Sequence, residues 1–215
     1  MRLRDEKKEQ QVKRKAIDLI ARLGLNGFSM QKLARAAKVS PATLYIYYKN
    51  KEDLLLKIGS EEAQRMTRTT MEGFDPYMSF REGLKKQWEN RANYILAHPK
   101  ENKVLEQLKW SSYGEKIFST VTDEFAETMS KFTHHAVKNN ELISLPIEVY
   151  WTIAFAPLYN LLLFHKNGRS VGLRPFQFSN KIMHQTLEVV LKALQPPSAP
   201  RSIKSKSSCT NYPKS

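Results

Sequence analysis

Residues 28–55 decide the fold, and they read FSMQKLARAAKVSPATLYIYYKNKEDLL. Ser29 and Ser40 are good helix N-cap residues, and each precedes a short run of helix-forming and apolar side chains. Pro41 takes the first helical position after the second cap, where its missing N–H costs nothing. Asn50 is a third N-cap residue, and the two acidic residues in the turn after it favour the positive end of a helix dipole. This stretch therefore predicts two short helices joined by a tight turn, followed by the start of a longer helix.

The side chains of the two short helices suit a helix-turn-helix that reads DNA. Small residues let the first helix approach the second closely, namely Ala34, Ala36 and Ala37. A narrow N-terminus lets the second helix enter a major groove, and it is formed by Ser40, Pro41, Ala42 and Thr43. Hydroxyl and ammonium donors follow where that helix would cross phosphate, namely Tyr45, Tyr47, Tyr48, Lys49 and Lys51. The N-terminus of the next helix, around Lys51, is a further anion site.

The same stretch resembles the DNA-binding domain of the TetR family of repressors. The specific part is Val-Ser-x-x-Thr-Leu-Tyr from Val39, then two aromatic residues, then Asn-Lys-Glu-Asp-Leu-Leu from Asn50. The resemblance covers about residues 8–60. It implies phosphate contacts from Ser29, Thr43, Tyr45, Tyr47 and Lys51, and it places Gln31, Ala42 and Ile46 near base edges. The predicted DNA-binding residues are Ser29, Gln31, Lys38, Ser40, Pro41, Ala42, Thr43, Tyr45, Ile46, Tyr47 and Lys51.

One position departs from the family pattern. The turn between the two helices usually carries glycine, and here it carries Lys38. A left-handed conformation at Lys38 would cost about 1 kcal/mol, but the ammonium could reach phosphate instead. Among the aromatic residues, we expect Tyr48 in the core with Leu44, and Tyr45 and Tyr47 on DNA, with core packing as the alternative. The basic run at 13–15 is either a solvated helix face or a flank of the DNA backbone.

The rest of the chain is helical nearly throughout, with no internal repeat and no convincing strand, so the predicted class is all-α. The clearest break in the pattern is Phe74–Pro76. We assign residues 1–55 to a three-helix helix-turn-helix DNA-binding domain and 56–195 to a larger helical domain for ligand sensing and dimerisation. Residues 196–215 lack periodicity and are expected to be a disordered basic tail.

The positive charge lies at the two ends of the chain. The net charge is +14; residues 1–60 hold 14 Lys and Arg against 6 Asp and Glu, residues 61–195 hold 17 against 15, and residues 196–215 hold 4 against none. Basic ends indicate a polyanion such as nucleic acid or an anionic membrane surface, or a solvated surface that maintains solubility. The single cysteine, Cys209, fits a reducing cytoplasm. The N-terminus lacks a signal-peptide core, and the apolar run Val149–Phe164 is short for a membrane span, so we expect a cytoplasmic protein without a membrane partner.

The resemblance also implies a homodimer formed by the helices at about 146–166 and 176–194. Independently, the run Val149–Phe164 has almost no polar face and needs burial on nearly all sides. Two-fold symmetry would match a palindromic operator in double-stranded DNA. An unknown effector, apolar or amphipathic, is expected among the middle helices, although plain core packing competes at every candidate residue. These candidates are Trp88, Tyr94, Trp110, Phe118, Phe125, Trp151, Phe155 and Tyr159.

Enzyme signatures are missing from the sequence. His134 and His135 are adjacent and point about 100° apart on a helix, so they cannot share a metal as residues four apart on a helix do. There is no glycine-rich phosphate loop and no nucleophile elbow, and we expect neither metal nor cofactor. The prediction is a repressor that a ligand releases from its operator. Two alternatives remain: a non-specific DNA-binding protein, which would show steep salt dependence without sequence preference, and a helical enzyme or ligand carrier, whose activity would survive Tyr45→Ala and Lys51→Ala.

Overall fold

The computed structural model describes residues 6–197, apart from the side chains of Thr120 and Thr122. Residues 198–215, which hold all but the first two residues of the predicted tail and include Cys209, lie outside the described residues. The described range contains helices and no β-strand, so the predicted all-α class is confirmed. The helices are α1 Glu6–Gly27, α2 Met30–Ala37, α3 Pro41–Tyr47, α4 Lys51–Met71, α5 Phe80–Ala97, α6 Pro99–Lys109, α7 Gly114–Lys138, α8 Ile147–Asn167 and α9 Asn180–Leu194.

The three predicted caps form as the sequence indicates. The side chains of Ser29, Ser40 and Asn50 accept hydrogen bonds from the N–H groups three residues later, at the starts of α2, α3 and α4. Between α2 and α3, Lys38 is left-handed, with φ 55° and ψ 44°. The position where the family usually has glycine therefore needs a left-handed residue here too, and Lys38 carries that strain.

Helix α1 does not run straight to its end. Glycines at 24 and 27 predict the end of this helix, and the backbone leaves helical geometry at Gly24, with φ 73° and ψ 170°. A last helical segment then reaches Gly27. Glycine adopts such a positive φ without the clash that a Cβ would cause.

Two clusters of buried apolar side chains form the interior. The first joins α1–α4 to α6 and to Ile117 at the start of α7. The second joins α5, the later part of α7, α8 and α9 around Trp88, Phe132 and Phe155. The first cluster continues past residue 55 through Ile58 and Ala63. Helix α6 packs against α1, and α7 packs against α4.

Candidate nucleic-acid interface

The small residues of α2 and α3 do what the sequence predicts, because they let the two helices share a tight interior. Leu33, Ala34 and Ala37 of α2 and Leu44 of α3 are buried in the first core. The opposite face of the pair is open. Of the predicted DNA-binding residues, those exposed are Gln31, Lys38, Ser40, Pro41, Ala42, Tyr45 and Ile46, and those half-buried are Ser29, Thr43 and Lys51.

Two large side chains point outward from α3. Tyr45 is 56% exposed and Ile46 is 51% exposed. About half of each side chain stays in water, so neither contributes its full apolar surface to the core of the free chain. Beside them, at the start of α3, Ser40 Oγ and Thr43 Oγ1 lie 2.9 Å apart, so a compact pair of hydroxyl groups marks the narrow end of the helix.

Tyr47 does not share this face. It is only 6% exposed and lies in the first core with Leu44 and Tyr48. The expectation that Tyr47 faces away from the core is therefore wrong, while the expected burial of Tyr48 is confirmed. The reason is the helical repeat: Tyr47 and Tyr48 follow Leu44 by three and four residues, and both spacings return to the same face.

Lys51 also differs from expectation. Its ammonium donates to the carbonyl oxygens of Leu25 at 2.9 Å and Phe28 at 3.2 Å, and it lies over the Phe28 ring. In this structure the side chain binds the end of α1 and the α1–α2 connection to the start of α4, instead of pointing to solvent. No sequence signal could have shown this, because the two acceptors are backbone atoms distant along the chain.

The turn between α3 and α4 is held by Asp53. Its carboxylate accepts from the N–H of Lys49 at 2.8 Å and from the ammonium of Lys57 at 3.0 Å. Burial raises the pKa of Asp53, but the hydrogen bond from the Lys49 N–H and the Lys57 ammonium outweigh it, and the pKa lies below its ordinary value. The carboxylate stays ionised and fixes the α3–α4 turn.

Positive charge surrounds the open face. Arg35 and Lys38 are exposed and form no ion pair with any residue between 6 and 197. Lys32 is exposed as well and donates to the Gly27 carbonyl at 2.7 Å. Uncompensated cations around a narrow helix N-terminus attract phosphate by the release of DNA counterions.

The predicted effector-binding residues do not form one site. Trp88, Tyr94 and Phe155 are fully buried, and the Trp88 indole donates to the Ala154 carbonyl. Phe118 packs against the first core, and Tyr159 lies at the surface. Trp110, which follows the last residue of α6, is 84% exposed, so the expectation that it lines an interior pocket is wrong.

Three of the predicted aromatic residues do meet. The ring of Trp151 lies 6.0 Å from that of Phe125 and 4.5 Å from that of Phe155. Phe125 and Trp151 line a cavity of 610 Å³ between α7, the α7–α8 connection and the start of α8. That volume suits a small organic ligand. Over residues 6–197, no group of three His, Cys, Asp or Glu side chains could hold a metal ion.

A helix-turn-helix with an open, basic recognition face, carried on a larger helical body, defines a DNA-binding transcriptional regulator. Residues 14–58 match the family described as bacterial regulatory proteins, tetR family. An HTH-type transcriptional regulator of Haemophilus influenzae is 27% identical over 177 residues, which are 82% of this chain and 90% of that protein. Residues 14–58 are thus a DNA-binding domain of the tetR family type, and the relative that matches most of the chain is a transcriptional regulator.

Solved structures agree with this assignment. A TetR family transcription regulator from Marinobacter aquaeolei is 26% identical, with a TM-score of 0.67 over 92% of this chain and all of that one. A TetR-family regulator from Haemophilus influenzae is 25% identical, with a TM-score of 0.69 over 90% of this chain and all of that one. Over 47 residues, 22% of this chain and 24% of that protein, the chain is also 38% identical to a fatty acid metabolism regulator protein of Bacillus subtilis.

Proposed function

We propose that this regulator is a cytoplasmic homodimeric repressor that binds a palindromic operator and leaves it when a small ligand binds among the C-terminal helices. The observation that carries the proposal is the outward position of Tyr45 and Ile46 on α3. Large side chains that are half exposed, beside cations that form no ion pair with the described residues, suit a surface that docks against DNA.

In this proposal the residues of the open face divide by chemistry. Hydroxyl and ammonium donors, which position the helices on the sugar–phosphate backbone, come from Ser29, Lys38, Ser40, Thr43 and Tyr45. Residues that read base edges are Gln31, Pro41, Ala42 and Ile46, with the Ile46 side chain suited to a thymine methyl group. At Lys51 we assign the phosphate contact to the backbone N–H in the first turn of α4, since the ammonium already binds two carbonyls.

The dimer is argued from α8 and α9. Phe155, Leu158 and Leu162 of α8 lie in the second core, yet the opposite face of α8 is also apolar and exposed, at Val149 and Leu163. Length and composition alone would let α8 cross a membrane, but the same properties fit a helix that is covered on both sides in a four-helix dimer interface. On α9, Val189 is 67% exposed and extends that surface.

A dimerisation test follows from these exposures. Leu163→Glu places a charge on the proposed interface without disturbing the core of one chain, and Leu173→Glu places it on an exposed loop as the matched control. Light scattering should give a dimer for the parent chain and the control, and a monomer for Leu163→Glu. A Leu163→Glu protein that stays dimeric would contradict the proposed interface.

In this proposal, α6 couples the DNA-binding helices to the larger helical domain. Its Lys100 pairs with Asp18 of α1 at 2.6 Å, and its Glu106 pairs with Lys166 of α8 at 3.1 Å. Helix α6 therefore touches both the DNA-binding helices and the proposed dimer helix. The proposed mechanism is a shift in population: a ligand stabilises a spacing of the recognition helices that no longer fits grooves about 34–36 Å apart.

Selection of bound fragments from a random duplex pool, at near-physiological salt, tests the function. We expect a single palindromic motif with half-sites a helical turn apart. The double variant Gln31→Ala with Ile46→Ala should fold and dimerise but lose the motif. Recovery of no motif, with binding that vanishes as salt rises, would contradict the proposal and favour the non-specific alternative.

A further inference from the structure

A buried arginine beside the second core pairs with no carboxylate between residues 6 and 197. Arg91 of α5 is only 4% exposed, and a guanidinium stays protonated in proteins. It donates from Nη2 to the Gln87 side-chain oxygen at 2.9 Å, while its Nε is buried without a hydrogen-bond partner. No carboxylate of the described residues pairs with it.

Three aromatic rings surround this cation in place of a carboxylate. The guanidinium carbon lies 4.7 Å from the centre of the Phe155 ring, 5.5 Å from that of Trp151 and 5.8 Å from that of Phe125. Ring faces attract a cation but accept no ordinary hydrogen bonds, so the Nε–H of Arg91 remains unsatisfied. A buried charge without a partner is costly and is normally completed by an anion.

A second unsatisfied donor stands nearby. The Tyr150 hydroxyl is buried and has no hydrogen-bond partner within the described part of the chain. Burial raises the pKa of Tyr150, and the positive charge of Arg91 offsets this only in part, so the hydroxyl is protonated and can donate at neutral pH. Tyr150 also lines the 610 Å³ cavity, next to Trp151 and opposite Phe125.

We propose that this cavity binds a small amphipathic carboxylate, whose oxygens accept from the Arg91 guanidinium and the Tyr150 hydroxyl. The inference rests on the proposed function, because it names the chemistry of the ligand that such a regulator would sense. The apolar part of the ligand would lie along the apolar lining of the cavity, formed by Met129, Val137, Leu142 and Ile147. A single carboxylate charge compensates Arg91, whereas an alcohol of the same length would leave the cation unpaired.

Access to Arg91 requires movement of two rings. Phe125 of α7 and Trp151 of α8 both line the cavity and cover the guanidinium. They must shift as the carboxylate arrives, and this shift changes the surroundings of one of the three tryptophans. Because α7 begins in the first core at Ile117, a displacement of α7 can reach the DNA-binding helices.

The test uses the full chain with octanoate, decanoate and dodecanoate, each compared with the alcohol of equal length. Tryptophan fluorescence and thermal unfolding should show saturable binding of at least one carboxylate, at least about tenfold tighter than its alcohol. Arg91→Met should remove that preference without lowering the unfolding temperature of the free protein, since the variant loses an unpaired buried charge. Arg174→Met, an exposed arginine of the α8–α9 connection, should bind as the parent does.

Tyr150→Phe gives a second readout if Arg91→Met fails to fold. It removes only an unpaired hydroxyl, and should weaken carboxylate binding while alcohol binding stays unchanged. Equal affinities for each carboxylate and its alcohol would overturn the inference, as would unchanged carboxylate binding in both variants. Carboxylate binding that leaves the selected DNA occupied would contradict ligand release and leave this site standing. DNA release by alcohols and carboxylates alike would support ligand release and contradict the carboxylate site.

Discussion

The side-chain oxygen of Gln107 on α6 accepts a hydrogen bond from the N–H of Leu25, at 3.2 Å, one residue after α1 breaks at Gly24. The break releases a backbone donor from the helix, and α6 supplies the acceptor. Since α6 also pairs with α8 through Glu106, this bond joins the DNA-binding helices to the part of the chain that is proposed to sense a ligand.

The bond between Gln107 and Leu25 predicts the effect of Gln107→Leu. The variant leaves a half-buried N–H without an acceptor, which costs about 1 kcal/mol, or a decrease of about 2–4 °C in the unfolding temperature. Differential scanning calorimetry measures it. Gln177→Leu, in an exposed loop, is the control and should unfold with the parent. An unchanged unfolding temperature in Gln107→Leu would show that this contact does not join the two parts.

Lys51→Met separates a structural role of the ammonium from a phosphate contact. Loss of the bonds to Leu25 and Phe28 should lower the free energy of unfolding by about 1–2 kcal/mol, while the salt dependence of DNA binding stays the same. Lys116→Met, which removes an exposed ion pair with Glu52, should change stability by less than about 0.5 kcal/mol. A salt slope that falls by about 0.9 with stability intact would assign the ammonium to phosphate.

Lys38→Gly should move stability and DNA binding in opposite directions. Glycine relieves the left-handed strain at φ 55°, a gain of about 1 kcal/mol in the free energy of unfolding. At the same time the proposed DNA interface loses a cation. The slope of the logarithm of affinity against the logarithm of salt concentration should therefore become shallower by about 0.9. Chemical denaturation and a salt titration of DNA binding measure the two effects. An unchanged salt slope would remove Lys38 from the proposed interface.

Tyr45→Phe tests one phosphate contact through a single hydroxyl group. Because Tyr45 is exposed and makes no core contact, stability should not change, and affinity should fall about fivefold on specific and scrambled duplexes alike. Fluorescence anisotropy measures both. Tyr77→Phe, another exposed tyrosine located before α5, should bind DNA as the parent does. If Tyr45→Phe binds equally well, the hydroxyl does not contact DNA.

Local rules account for what the sequence could predict. The caps at Ser29, Ser40 and Asn50, and the left-handed residue at Lys38, depend on neighbours within four residues, and all of them form. The same rules also predict that Tyr47 is buried, because it follows the buried Leu44 by three residues. The expected DNA contact of Tyr47 came from the family resemblance, and it disagreed with the helical repeat.

Contacts between distant segments could not be predicted. The Lys51 ammonium binds carbonyls more than twenty residues earlier, and Arg91 meets rings from two other helices. No pattern in the sequence indicates either set of contacts, since only the packing of the helices brings these groups together. Trp110 shows the opposite case: an aromatic residue predicted to be interior lies outside, because α6 ends one residue before it.

The most direct test of the central claim is a titration of the selected palindromic duplex, a single half-site and a scrambled duplex, with stoichiometry measured at near-physiological salt. We predict two chains per palindrome, weaker binding to the half-site, and binding to the scrambled duplex at least about a thousandfold weaker. Equal affinities for the palindrome and the scrambled duplex, both lost as salt rises, would contradict a sequence-specific dimeric regulator.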